Sequence, residues 1–201
     1  MGLLAGSASF MRFSVEGEMP ESFWEIAAQK IAAHSFRDID DSLDEYSIGW
    51  VSVASMFDAA FAECSYAAGD YVVLSMRVDE RKVSPAVLKK CVLKEEERIK
   101  REKQIPRLGR SAQMEIKERV RTQLLRKSVP IPAVYDLVWN LSDATLLFFS
   151  TNKKALVLVE ELFKETFGLS LILQIPWNTA EHVADQACQG RLEQLRPEIL
   201  L

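Results

Sequence analysis

Lysine and arginine are concentrated in one stretch of this 201-residue chain. Residues 77–127 hold 17 of the 25 basic residues and eight acidic ones, a net charge of +9, whereas the rest of the chain carries −13. Basic side chains bind phosphate groups, and a basic segment within an acidic protein is typical of a binding site for a polyanion. The charge alone also fits a solvated helical hairpin without a ligand.

The basic residues recur at helical spacing in two predicted helices. In each helix, at about 100° per residue, the basic side chains share one side and leave another to an apolar stripe. If the apolar stripes pack together, both basic rows lie on the surface of a hairpin. The basic rows are Lys90, Lys94, Arg98 and Arg101, and Arg110, Lys117 and Arg121; the apolar stripes are Leu88, Val92 and Ile99, and Ile116, Val120 and Leu124.

A helix of about 20 residues is roughly 30 Å long, so such a hairpin can lie along several phosphates of a DNA duplex. No aromatic residue lies between Tyr71 and Tyr135, and Asn and Gln are scarce there, so base stacking and base recognition are not provided for. We therefore predict binding of double-stranded DNA without sequence preference. The predicted contacts are Lys82, Lys89, Lys90, Lys94, Arg98, Lys100, Arg101, Lys103, Arg107, Arg110, Lys117, Arg119 and Arg121.

Three alternatives stay open. Asp70, an apolar strand, Glu80 and Lys82 follow the order of acids and lysine in Mg²⁺-dependent nucleases. The turn at residues 105–110 could belong to a helix-turn-helix motif, although both predicted helices are longer than that motif uses. The charged hairpin could instead be a protein-docking arm without affinity for DNA. The prediction that we favour is a binding protein, not an enzyme, without catalytic residues, metal or cofactor.

Cysteine and histidine are few and scattered: Cys64, Cys91, Cys188, His34 and His182. Their spacing forms neither a disulfide framework nor a zinc site, and neither histidine adjoins a nucleophile motif. The apolar runs are shorter than the roughly 20 residues that cross a bilayer, and the first residues lack the basic leader of a signal peptide. We expect a cytoplasmic protein.

Alternating and helical periodicities predict an α+β fold, with two small sheet-plus-helix units and a protruding basic helical hairpin between them. The predicted regions are 1–83, the first unit; 84–129, the hairpin; 130–178, the second unit; and 179–201, a helical tail. The predicted strands are 8–15, 46–53, 71–78, 133–140, 145–150 and 169–175, and the predicted helices are 20–33, 84–104, 111–127 and 152–168.

Several segments, in this order and spacing, resemble the RdgC family of recombination-associated proteins. They are Phe10-Met11-Arg12-Phe13, Ile48-Gly49-Trp50-Val51, Val83-Ser84-Pro85-Ala86-Val87-Leu88-Lys89, the charged helix 94–103 with the helical stretch to Arg126, Asp136-Leu137-Val138-Trp139 and 150–154. The resemblance covers about residues 8–177. It implies a ring-shaped homodimer that encircles duplex DNA without sequence preference and restrains the RecA recombinase, in the nucleoid of bacteria. Members usually continue well beyond the position of Trp177, so this chain resembles a short form, and its ring closure and recombinase regulation stay open.

Overall fold

The computed structural model describes residues 2–4, 6–20, 22–42, 44–61, 65–177 and 180. The predicted helical tail therefore falls outside the described residues, apart from residue 180, as do Cys64, Cys188 and His182. The strands are β1 (Met11–Glu16), β2 (Tyr46–Val51), β3 (Ala67–Ala68), β4 (Tyr71–Glu80), β5 (Ile131–Asn140), β6 (Thr145–Phe148) and β7 (Ser170–Leu173). The helices are α1 (Phe23–Ala33), α2 (Pro85–Lys103), α3 (Arg110–Lys127) and α4 (Lys153–Phe167).

The predicted α+β class is confirmed, but the strands of the two predicted units share one antiparallel sheet. Its strand order is β2-β4-β5-β6-β1-β7, with β3 paired to β4. The joint is the pairing of β4 with β5, which runs from Tyr71 opposite Asn140 to Glu80 opposite Ile131. Ladder hydrogen bonds along these two ten-residue strands make the sheet continuous across both predicted sheet-plus-helix units.

One face of the sheet and helices α1 and α4 enclose the main hydrophobic core. Alternate residues of β4, Val72, Leu74, Met76 and Val78, belong to this core, as the two-residue period of a strand requires. Trp50 is fully buried there, and its indole Nε1 donates a hydrogen bond of 2.8 Å to Thr166 Oγ1. The other large core side chains include Phe13, Trp139, Phe148 and Phe163.

Helix α4 begins and ends where the sequence predicts. The side chain of Asn152 accepts a hydrogen bond from the backbone nitrogen of Lys154 at 2.9 Å, which caps the first turn. Gly168 follows the last turn with φ of +74°, in the left-handed region that glycine adopts without strain. These two caps fix the length of the helix that covers the core.

Helices α2 and α3 pack against each other and are inserted between the neighbouring strands β4 and β5. Pro85 is the first residue of α2, where its missing N–H costs no intrahelical hydrogen bond. Gln104, with φ of +52°, ends α2, and α3 begins at Arg110 after a short connection. We call residues 84–129 the arm and the turn at residues 104–109 its tip.

Candidate nucleic-acid interface

The arm exposes the basic side chains that the sequence predicts as DNA contacts. Helix α2 has no buried residue among those described, and α3 buries Ile116, Val120 and Leu125 against its surroundings. Of the thirteen predicted contacts, Lys100 is partly buried and the others are exposed. The apolar side of α3 therefore matches the predicted stripe, with Leu125 more deeply buried than Leu124.

Four of the thirteen basic side chains form ion pairs within the chain. Arg98 contacts Glu95 at 2.6 Å and Glu102 at 3.2 Å on the same helix. Arg119 of α3 contacts the same Oε1 atom of Glu95 at 2.8 Å. The other two pairs are Lys82 with Glu80 at 2.9 Å and Arg121 with Glu118 at 3.8 Å.

Glu95 connects the two helices of the arm. The hydrogen bond from Arg98 is the main cause that lowers the pKa of Glu95, and the same contact raises the pKa of Arg98. Because Arg119 donates to the same carboxylate from α3, Glu95 bridges the two helices. Any phosphate that contacts Arg98 or Arg119 competes with Glu95 for the guanidinium group.

Nine of the predicted contacts make no ion pair with any described residue. They are Lys89, Lys90, Lys94, Lys100, Arg101, Lys103, Arg107, Arg110 and Lys117. A cation that is exposed and unpaired can exchange its bound counterions for a phosphate without first breaking a contact in the protein. This subset is the strongest candidate for a nucleic-acid surface.

Two arginines of the basic segment are buried and cannot contribute to that surface. Arg77 donates two hydrogen bonds to Asp79, at 2.9 and 2.6 Å, and its guanidinium lies 4.2 Å from the centroid of the Phe36 ring. The hydrogen bond to Asp79 is the main cause that raises the pKa of Arg77. Arg77 is included in the net charge of residues 77–127, but it is buried and adds no charge to the surface of the arm.

Arg81 is the second buried arginine, and it anchors an acidic loop to the foot of the arm. Its side chain donates hydrogen bonds to the carbonyl oxygens of Ile39 at 2.7 Å and Asp44 at 3.0 Å. It also donates to the carbonyl oxygen of Ser128, directly after α3. Further acceptors are the carbonyl oxygens of Asp40 and Ser42. The sequence reasoning missed this role, since the only signal was one more basic residue at the end of a strand.

The acidic loop, described at residues 38–42 and 44–45, presents carboxylates beside the foot of the arm. Its exposed acids are Asp38, Asp40, Asp41, Asp44 and Glu45. These charges repel a polyanion from the body of the protein and leave the arm as the favourable surface.

The nuclease site predicted from Asp70, Glu80 and Lys82 is wrong as a constellation. Asp70 precedes β4 and Glu80 is its last residue, so the two carboxylates lie at opposite ends of a ten-residue strand. At about 3.3 Å per residue they are roughly 30 Å apart and cannot hold one ion. Asp70 instead accepts a hydrogen bond from Ser142, and Glu80 pairs with Lys82 and Lys154. Within the described part of the chain, no group of three or more His, Cys, Asp or Glu residues is placed to bind a metal.

The lengths of α2 and α3 argue against the helix-turn-helix alternative, as the lengths of the predicted helices did. Helices α2 and α3 have 19 and 18 residues, longer than the helices of that motif. None of the helices in the described residues is long and apolar enough to span a membrane.

A family model matches most of this chain. Residues 9–184 match the family described as "Putative exonuclease, RdgC". A search of curated proteins finds no match to this chain. The matched region contains strands β1 to β7, helices α1 to α4 and therefore the whole arm. This chain belongs to the RdgC family.

Proposed function

We propose that this chain binds double-stranded DNA without sequence preference, by contacts of the arm with phosphates, and acts by binding and not by catalysis. Membership of the RdgC family supports a role related to recombination. The observation that carries the proposal is the set of nine cations on the arm, eight exposed and one partly buried, that have no ion pair among the described residues. The acids of the arm and of the body direct the ligand to these cations.

The length of the basic row sets the number of phosphates that the arm can reach. Lys90, Lys94 and Arg101 share one side of α2, and the rise of about 1.5 Å per residue separates the first from the last by roughly 16 Å. DNA presents one charge per about 1.7 Å of helix axis when both strands are counted. With the cations of the tip and of α3, about six phosphates are within reach, which agrees with a surface for one side of a duplex.

The proposal is tested by fluorescence anisotropy of a labelled duplex over a series of salt concentrations, with two unrelated sequences. For about six phosphates, the logarithm of the binding constant should fall with the logarithm of salt concentration with a slope near −5. Both sequences should bind alike. A flat salt response, or a strong preference for one sequence, would contradict the proposal.

Two lysines of α2 provide the direct test of the surface. Replacing Lys90 and Lys94 with glutamine should reduce the magnitude of the salt slope by about 2, since each phosphate contact contributes about 0.9. The matched control replaces Lys153 and Lys164 with glutamine, two exposed lysines of α4 on the body. This control should leave the slope unchanged. Equal effects of the two double variants would show that net charge, and not the arm, determines binding.

The same samples test whether the protein acts only by binding. After incubation with and without Mg²⁺, the DNA should remain intact on a denaturing gel. Cleavage that requires Mg²⁺ and protein would overturn the non-enzymatic part of the proposal.

Two further parts of the proposal, a homodimer around DNA and restraint of RecA, are based on membership of the RdgC family. Each is tested by its own measurement. A homodimer around DNA predicts a doubled molecular mass in analytical ultracentrifugation and slower dissociation from circular than from linear DNA of equal length. Restraint of RecA predicts inhibition of RecA-dependent strand exchange that is relieved in the Lys90→Gln, Lys94→Gln variant. A monomer that leaves strand exchange unchanged would remove these parts and leave DNA binding in place.

A further inference from the structure

The arm has a second surface, an apolar groove between α2 and α3 that shares two cations, Lys89 and Lys117, with the proposed phosphate contacts. It has a volume of about 370 Å³ and is lined by Pro85, Leu88, Lys89, Val92, Leu93 and Lys117. We call this set the arm groove. A second cavity of about 710 Å³ at the foot of the arm shares Pro85 and Leu88 with it, so the groove opens toward the body of the protein.

The apolar floor of the arm groove, Leu88 and Val92, lies on the side of α2 opposite Lys94. At about 100° per residue, Leu88 and Val92 point roughly 120° to 160° away from Lys94, the middle of that row. Lys89 belongs to the groove side. A DNA duplex on Lys90 and Lys94 therefore leaves Leu88 and Val92 uncovered. Substitution of Leu93, which changes no charge, alters the groove without removing a phosphate contact.

The composition of the groove indicates its ligand. Leu93 is 52% exposed, an apolar side chain whose burial gains free energy that contact with phosphate cannot supply. Both charged residues of the lining, Lys89 and Lys117, are cations with no ion pair to a described residue. An apolar floor with unpaired cations at its rim is complementary to a segment that combines large apolar side chains with carboxylates.

We propose that the arm groove binds an acidic peptide segment of a partner protein. One or two of its apolar side chains insert beside Leu88 and Leu93, and its carboxylates pair with Lys89 and Lys117. The volume of the groove accommodates a few side chains, as expected for a short segment and not for a folded domain. This inference goes beyond DNA binding and does not depend on it.

The test begins with selection of short peptides from a displayed random library against the full chain, followed by anisotropy of the labelled consensus peptide. We expect a consensus that contains acidic residues and at least one large apolar residue. Leu93→Ser should weaken binding of this peptide by about tenfold or more. Lys89→Gln with Lys117→Gln should weaken it as well and make binding less dependent on salt.

Matched variants separate the groove from the rest of the molecule. Leu93→Met, which keeps the apolar volume, should restore peptide binding. Val157→Ser changes a residue of α4 that is 53% exposed and should leave peptide binding unchanged. The Lys90→Gln, Lys94→Gln variant should retain the peptide and lose DNA affinity, whereas Leu93→Ser should retain DNA binding.

Three outcomes would overturn the inference. The first is a selection that gives no consensus or a consensus without acids, and the second is peptide binding that Leu93→Ser leaves intact. The third is self-association of the protein that Leu93→Ser abolishes, which would make a second copy the occupant. Each of them leaves the DNA measurement unaffected, so failure of this inference and failure of the proposed function are distinguishable.

Discussion

Replacing Arg81 with methionine removes the side chain that joins the acidic loop to the foot of the arm. Arg81 is 8% exposed and donates hydrogen bonds to five carbonyl oxygens, four in residues 39–44 and one at Ser128. Methionine retains much of the apolar stem but offers no donor. The variant therefore leaves these carbonyl groups without their partner while it changes the packing little.

The structure sets the size of the effect. The acceptor at Ile39 is in a buried hydrogen bond, and an unsatisfied buried polar group costs about 1–3 kcal/mol. The other four bonds are partly buried, so water replaces much of what is lost. We expect the free energy of unfolding to fall by about 3 kcal/mol, a large part of the roughly 5–15 kcal/mol that stabilises a folded domain.

Urea unfolding measured by tryptophan fluorescence gives this quantity, since Trp50 and Trp139 are buried in the core. Lys127→Met is the control, because Lys127 is exposed at the end of α3, and it should change the unfolding free energy by less than about 0.5 kcal/mol. A loss below about 1 kcal/mol for Arg81→Met would refute the reasoning that these hydrogen bonds stabilise the fold.

Three further substitutions test the packing and the charges around the sheet. Gly49→Ala should lower the unfolding free energy by about 1–3 kcal/mol, because an added Cβ would lie 2.5 Å from the backbone of Phe36. Burial raises the pKa of Glu160. The contribution of this carboxyl group to stability is therefore complete below its unfolded pKa and is lost as pH rises through the folded pKa. Glu160→Gln should stabilise the protein near neutral pH, by less than about 1 kcal/mol, and should have no effect in acid. A hydrogen bond from Lys82 lowers the pKa of Glu80. The contribution of Glu80 to stability is therefore present above its unfolded pKa and is lost as pH falls through the folded pKa. Glu80→Gln should lower the free energy of unfolding by up to about 1 kcal/mol near neutral pH and should have no effect in acid. Urea unfolding at several pH values measures all three.

The controls for these substitutions are residues of the same type in open surroundings. An added Cβ at Gly6 meets no atom within 4 Å, so Gly6→Ala should leave the stability nearly unchanged. Glu165 is exposed on α4, and Glu165→Gln should have an effect below about 0.5 kcal/mol. If Gly49→Ala matched its control, the close approach of residues 35–36 to β2 would not constrain the fold. If Glu160→Gln or Glu80→Gln showed the opposite dependence on pH, the assigned cause of that pKa shift would be wrong.

Local pattern predicts the elements of this fold but not how the strands combine. The alternation of β4, the proline at the start of α2, and the caps Asn152 and Gly168 depend on neighbouring residues, and each appears in the structure as expected. The pairing of β4 with β5 depends instead on two strands that are separated by the whole arm. Alternation specifies which side chains share a face and does not identify the partner strand, so it does not predict that the strands of the two units form one sheet.

The candidate site shows the same limit. The helical spacing of Lys90 and Lys94 predicts their exposure, because a helix face can be derived from the sequence alone. Arg77 lies in β4, and Arg81 directly follows the strand. The burial of both depends on loops that are distant in sequence and pack against this region in the folded protein. The order of Asp70 and Glu80 along the sequence resembles that of a nuclease site, but the two residues lie at opposite ends of an extended strand and are therefore far apart.

Under the proposed function, the acidic loop makes some parts of the arm more favourable for DNA than others. Arg81 holds Ile39 and Asp44 beside Ser128, so the carboxylates of this loop lie next to the foot of the arm, where Lys82 is also placed. Helix α2 extends for 19 residues, roughly 28 Å, whereas charges are screened beyond about 8–10 Å at moderate salt. The repulsion from the loop therefore weakens the cations of the foot and does not reach those of the tip. DNA should for this reason contact Arg101, Lys103 and Arg107 more strongly than Lys82, which lies at the foot itself.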